Sequence, residues 1–147
     1  KEAEVSTRKA IELDPNFADA HSNLGGILSD LGKLKEAEVS TRKAIELNPE
    51  LGVAYYILST LKTSTRQNDW EEYLFSDNIL KDQDEKGLID IFFARANSMH
   101  KQKDYEASAK FLQLANQIKL NIYPSGCNNL IKQSRQLLVE SKNYKVN

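Results

Sequence analysis

The sequence predicts an all-α chain of about eight helices, and three observations carry that expectation. A thirteen-residue block, KEAEVSTRKAIEL, occurs twice without a change, at 1–13 and again at 35–47, an offset of 34 residues. Only six glycines and three prolines interrupt 147 residues, too few for a turn-rich β fold. Between these breakers, apolar residues recur at steps of three and four, the period of a helix face. Helices are expected at roughly 2–13, 17–31, 35–47, 51–65, 69–81, 86–102, 105–119 and 126–142, and no strand is expected.

The two copies of the block read as the first and third helices. In the second copy Ala37, Ala44, Ile45 and Leu47 share a face, and Lys35, Glu36, Glu38, Arg42, Lys43 and Glu46 fill solvated ones. Pro15 and Pro49 stop these helices, because the residue before a proline avoids the helical region. The second helix carries Phe17, Ala20, Leu24, Ile27, Leu28 and Leu31, and Gly32 ends it. Gly25 on one side and Ala37 and Ala44 on the other leave room for two helices to approach closely.

The next unit diverges. Tyr55, Leu58 and Leu61 continue the pattern, with Ser59 where the preceding unit has glycine. The turn Thr65–Asp69 is longer, and Trp70, Tyr73, Leu74, Ile79 and Leu80 make a bulky helix expected to pack less closely. Asp82–Lys86 and Gly87 read as a corner. Ile91, Phe92, Ala96 and Met99 then form one helix and Ser108, Leu112, Ala115 and Ile118 the next, separated by the turn Lys103-Asp104-Tyr105. Ser125 is an expected N-cap for a last helix with Leu130, Ile131, Leu137 and Leu138 on one side, suited to cap the end of a stack.

The 34-residue period, with Leu24-Gly25, Ala37 and Pro49 at their places, resembles the tetratricopeptide repeat, W-x2-L-G-x2-Y…A-x3-F…P. His21 stands for the tryptophan, Leu28 for the tyrosine and Thr41 for the phenylalanine. The resemblance implies a right-handed α-solenoid in one domain. Its parts would be a half repeat at 1–15, a full repeat at 16–49, a degenerate one at 50–85, another at 86–121, and a capping helix with its tail at 122–147. A chain opening on a second helix is expected to be cut from a longer array.

What the resemblance implies for function is a non-enzymatic scaffold that binds a protein or peptide in a concave groove lined by the first helices. Carried over by position, the groove comprises Asp19, Ser22, Asn23, Gly26 and Ser29, then Val53, Tyr56, Thr60 and Thr63, then Asp90, Phe93, Asn97, His100 and Lys101. Tyr56 and Phe93 are the natural anchors, since aromatic rings carry much of an interface's energy at low entropic cost. Members that clamp a C-terminal carboxylate use cations here; Asn23 is present, but Ser22 and Phe93 stand where cations would serve, so that subclass is not expected. Ile91–Leu120 and Tyr123–Leu138 are also similar to the segment between tetratricopeptide repeats and a sulfotransferase domain in some bacterial proteins. That implies an alternative role as an accessory region. The phosphate-binding Pro-Arg-Ser-Gly-type loop of such enzymes has no counterpart at Ser125-Gly126. A third alternative is a structural or self-associating array, with weak dimers through the N-terminal helix around Val5, Ala10 and Ile11.

Catalytic, metal and cofactor roles find no support in the residues. His21 is expected to pack within its unit and His100 to lie in the groove or at the surface; neither has a ligand spacing. Cys127 is single and has no neighbouring histidine. Gly25-Gly26 falls inside a helix and cannot cradle a phosphate. Twenty basic against 21 acidic residues argue against nucleic-acid and membrane-surface partners. No apolar run approaches the ~18 residues of a membrane span, and the composition suits a reduced, cytoplasmic setting.

Overall fold

Residues 2–62 and 69–124 are described by the computed structural model, and both copies of the repeated block are helical. The first is α1 (Glu2–Leu13) and the second α3 (Leu34–Leu47), with α2 (Ala18–Asp30) between them. Then follow α4 (Gly52–Thr60), α5 (Asp69–Leu74), a 3-10 turn at Asn78–Leu80, α6 (Glu85–Lys101) and α7 (Tyr105–Ile122). There is no strand among the described residues, and the architecture is an all-α helical-repeat solenoid. The expected last helix at 126–142 lies outside the described residues, as do Thr63 and most of the turn after it.

The corners repeat as closely as the helices do. The Asp14 side chain accepts from the backbone N–H of Asn16 at 3.1 Å, and Asn48 accepts from Glu50 at 3.0 Å. Each closes an Asx turn before the next helix. His21 Nε2 then lies 2.9 Å from the Pro15 carbonyl oxygen, and the Tyr55 hydroxyl donates to the Pro49 carbonyl at 2.8 Å. These two residues are 34 positions apart, so the histidine ties its helix to the preceding corner just as the tyrosine does.

α2 ends in a Schellman motif. Gly32 has φ +73°, its N–H reaches the Ser29 carbonyl, and the Lys33 N–H reaches Leu28. α6 ends in the same way with Lys103 at φ +65°, so a lysine there occupies the left-handed region that favours glycine. Asp84 and Asp104 cap α6 and α7 by accepting from the N–H groups of Gly87 and Ala107. The corner therefore lies before Asp84, and Gly87, expected in the corner, sits in the first turn of α6. A Cβ on Gly52 would come within 2.8 Å of the Gly87 carbonyl oxygen, which is how closely α4 and α6 approach.

Two core clusters share Ile45 and Trp70 at their edges. Leu24, Leu28, Ala37, Leu58 and Leu61 form the first, and Tyr55, Leu74, Ile79, Ile91 and Ala94 the second. In the first, a Cβ on Gly25 would collide with Thr41 Oγ1, so α2 and α3 touch through glycine. Thr41 is fully buried and its hydroxyl donates to the Ala37 carbonyl at 2.8 Å.

The second unit opens where the first closes. α4 packs directly on α6, and α5 meets α4 through rings: Tyr73 stacks on Tyr55 at 6.3 Å and Trp70 tilts over it at 6.4 Å. α4 also stops at Thr60, short of the expected 65. The Ser59 and Thr60 hydroxyls donate to the carbonyls of Tyr56 and Ile57, and such local bonds compete with continuation of a helix. The expected helix 69–81 breaks after Leu74. Arg95, buried on α6, donates to the carbonyls of Leu74 at 2.8 Å and Ser76 at 2.9 Å, taking acceptors that a continuing helix would use. Its guanidinium lies 5.6, 5.9 and 5.7 Å from the ring centres of Phe75, Phe92 and Phe111.

Two expectations about exposure need correction. Glu38 is only 8 % exposed and bound to Arg42 at 3.0 Å, so it does not lie on a solvated face. Phe17 and Leu31, placed on the apolar stripe of α2, flank the helix and are exposed. Val5 is exposed, as expected of an uncovered end, yet Val39 at the same position of the covered copy is equally so.

Candidate functional site

The expected groove residues come from α2, α4 and α6, which lie side by side: α2 touches α4, and α4 touches α6 along its length. At the first contact a Cβ on Gly26 would make only an ordinary van der Waals contact with Ile57 Cδ1, at 3.7 Å. The second contact is a series of rungs. Beyond Gly52 and Gly87 come Tyr56 and Phe93, with ring centres 6.2 Å apart and planes tilted by 56°. Next, Asn97 Nδ2 donates to Ser59 Oγ at 3.0 Å. Last, Lys101 Nζ donates to the Leu61 carbonyl at 3.0 Å. Burial of this ammonium holds the Lys101 pKa below the ordinary lysine value, with Glu71 opposing the shift.

The face therefore unites residues far apart in sequence, but not all of them are available. Tyr56 is 37 % exposed and Phe93 half-buried, so the pair presents an aromatic edge. Asp19, Asn23 and Thr60 are exposed on α2 and α4, while Val53 and Ser29 are half-buried. Asn97 and Lys101 are engaged in holding α4 to α6. His100 turns to the α6–α7 corner, where its ring meets Tyr105 edge-on at 5.3 Å. Asp90 borders a crevice with Lys86, Ile89, Lys119 and Tyr123; burial and the charge of Asp84 raise its pKa.

Ser22 is the clear miss. It is 1 % exposed, and its hydroxyl has no hydrogen-bond partner. A short side chain stays beneath the packing surface, where the tyrosine one repeat later, Tyr56, reaches out. Sequence reasoning also overlooked Ser59, read only as a lost glycine. Its hydroxyl is one of the polar links between α4 and α6, and the asparagine it meets is 38 residues away.

No group of three His, Cys, Asp or Glu residues able to hold a metal ion occurs among the described residues. No described helix is long and apolar enough to cross a membrane. No curated protein matches the chain. Residues 18–51 match the family model of the tetratricopeptide repeat, a span that holds α2, α3 and the corner to α4. That match does not extend to residues 91–138, on which the similarity to sulfotransferase-linked segments rests. Repeats of this kind suggest a protein-interaction scaffold, are generally non-catalytic and typically bind proteins or peptides. With its 34-residue period, its glycine-sealed helix pair and its duplicated proline corners, the chain carries a tetratricopeptide repeat at residues 18–51.

Proposed function

We propose that the chain is a non-enzymatic scaffold whose α2–α4–α6 face receives an extended segment of a partner protein. The Tyr56–Phe93 pair carries this reading. It is a partly exposed aromatic edge at a helix seam, flanked by the exposed polar side chains of Asn23 and Thr60. Aromatic anchors of this kind dominate binding energies, and polar neighbours set register. The charge of the face supports a neutral or basic segment. Among the described face residues, Asp19 and Asp90 contribute two carboxylates against the one cation Lys101, which spends one of its three donors on the Leu61 carbonyl. A segment ending in a free carboxylate would meet a single cation beside two like charges.

Peptides selected from a displayed random library against the chain provide the test. Their affinity should fall by about 2 kcal/mol in Tyr56→Ala, the scale of an aromatic hot spot, and remain unchanged in Glu85→Ala. Helical circular dichroism checks that each variant is folded. Selected peptides that bind Tyr56→Ala and Phe93→Ala as tightly as the parent would overturn the reading.

A further inference from the structure

The fold contains two crevices between successive second helices, and the chain fills them differently. One lies between α3 and α5, with a volume of about 430 Å³, lined by Arg42, Tyr55, Asp69, Trp70 and Tyr73 among others. The other lies between α1 and α3, with about 560 Å³, and its lining includes Arg8, His21, Lys35, Glu36 and Val39. Each of these five residues precedes its counterpart by 34 positions. The two crevices therefore share these five places, while the rest of their linings differ.

The residues differ at four of the five places: His21 for Tyr55 keeps a ring, and the other three change chemical class. Around the α3–α5 crevice the chain supplies two rings and an acid: Trp70 and Tyr73 pack on Tyr55, and the Asp69 carboxylate binds Arg42 at 2.7 Å. At the α1–α3 crevice the same positions hold Glu36, Val39 and Lys35. No ring comes from α3, and a cation replaces the acid. Two parts of the receptor persist: His21 keeps a planar ring on the wall, and Arg8 keeps the place of Arg42. Leu24 and Leu28 add apolar atoms here, where their counterparts Leu58 and Lys62 do not line the other crevice. The rim carries Arg8, Lys35 and Lys43 with Glu36 and Glu46; Arg8 is already paired with Glu4 at 2.9 Å and Lys43 with Glu46 at 3.0 Å.

We propose that the α1–α3 crevice receives an aromatic side chain from a partner protein, with an acidic residue next to that ring lying against Lys35 and Arg8. The occupant's chemistry follows from complementarity. What the receptor lacks, relative to its counterpart, is two rings and a carboxylate beside one of them, the Asp69-Trp70 pair. Lys35, standing where the counterpart has Asp69, favours that charge. A ring seated there would meet His21 much as Tyr73 meets Tyr55. α2 does not line the α3–α5 crevice, so a helix placed before α1 as α2 is before α3 would leave the α1–α3 crevice open. None of the α2–α4–α6 face residues named above lines it, so the two proposals stand independently.

The probe is N-acetyl-Asp-Trp-amide, titrated into the full chain and followed by backbone amide chemical shifts. Saturable shifts are expected at Arg8, His21, Lys35 and Val39. N-acetyl-Lys-Trp-amide should bind about threefold more weakly, the scale of a rim charge pair, and Lys35→Glu should cost the acidic probe a similar factor. Val39→Tyr, which supplies one of the missing rings from within, should reduce binding about tenfold, and because Val39 is exposed the fold should tolerate it. The proposal fails if shifts do not saturate, if they map to Tyr56 and Phe93 instead, or if the acidic and basic probes bind alike. Unaltered binding to Val39→Tyr would also overturn it.

Discussion

Residues 1–13 and 35–47 are the same sequence in two settings, and comparing them separates what a sequence does locally from what its neighbours do to it. The local bonds are copied. Thr7 and Thr41 each donate to the carbonyl four residues back at 2.8 Å, and Arg8 and Arg42 each hold the glutamate four residues back, at 3.1 and 3.0 Å. Burial is not copied. α1 has no fully buried residue, whereas Ala37, Glu38, Ser40, Thr41 and Ala44 of α3 are all buried. The difference lies on one face only. Val5 and Val39, on the opposite face, are 67 % and 70 % exposed. What covers α3 is its place in the stack, with α2 sealed against Thr41 through Gly25 on one side and α4 on the other. A helix period specifies which face can be buried, and packing decides whether it is.

The largest effect expected from this comparison is at the alanines. Ala37→Leu forces three further heavy atoms into a filled seam and should cost about 1–3 kcal/mol, the range for overpacking a core. Ala3→Leu, the same change at the exposed copy, should stay within about 0.5 kcal/mol. Urea denaturation of the two variants measures both, and equal losses would break the distinction between the copies.

A smaller effect, dependent on pH, sharpens it. Asp69 meets Arg42, which holds its carboxyl below the ordinary aspartate pKa of 3.8. A depressed pKa contributes stability at neutral pH that is lost as the pH falls through the folded value. Asp69→Asn should therefore be less stable than the parent at pH 7, with the gap closing on acidification below 3.8. Asp90 has the opposite sign, because burial and Asp84 raise its pKa above 3.8. Its ionised form is penalised in the folded chain, so Asp90→Asn should be the more stable protein at pH 7, and that advantage should vanish as the pH drops below 3.8. Thermal unfolding of the three proteins across pH 3–7 checks both signs. The smallest effect is a matched null. Val5→Ser and Val39→Ser should each change stability by less than about 0.5 kcal/mol, since neither valine is covered in either setting. A loss at Val39 alone would mean that α3 buries a face which the comparison leaves open.

Much of the fold was legible because the repeat is printed in the sequence. The duplicated block, the prolines after Asp14 and Asn48, and Gly32 at a left-handed position each act through bonds only a few residues long. Sequence fell short in the second unit. α4 ends at Thr60 because its own hydroxyls compete for its last carbonyls, a choice that an apolar stripe does not reveal. α5 ends at Leu74, where Arg95, 21 residues away, takes the carbonyl. The candidate face was legible as a stripe on each first helix, and Tyr56 and Phe93 do meet there. Ser22, Asn97, His100 and Lys101 were on the right stripe, but other elements had already engaged or covered them.

By itself, then, the sequence determined the period, the helix faces and the corners, since all of these rest on dihedral preference and on hydrogen bonds between near neighbours. Only the tertiary structure decided which equivalent positions are covered. It buries Thr41 and leaves Thr7 half-exposed, and it sets rings from α5 beside Tyr55 and none from α3 beside His21. The physical reason is that burial and complementarity belong to pairs of surfaces. One helix carries half of each pair, and the element packed against it supplies the other half.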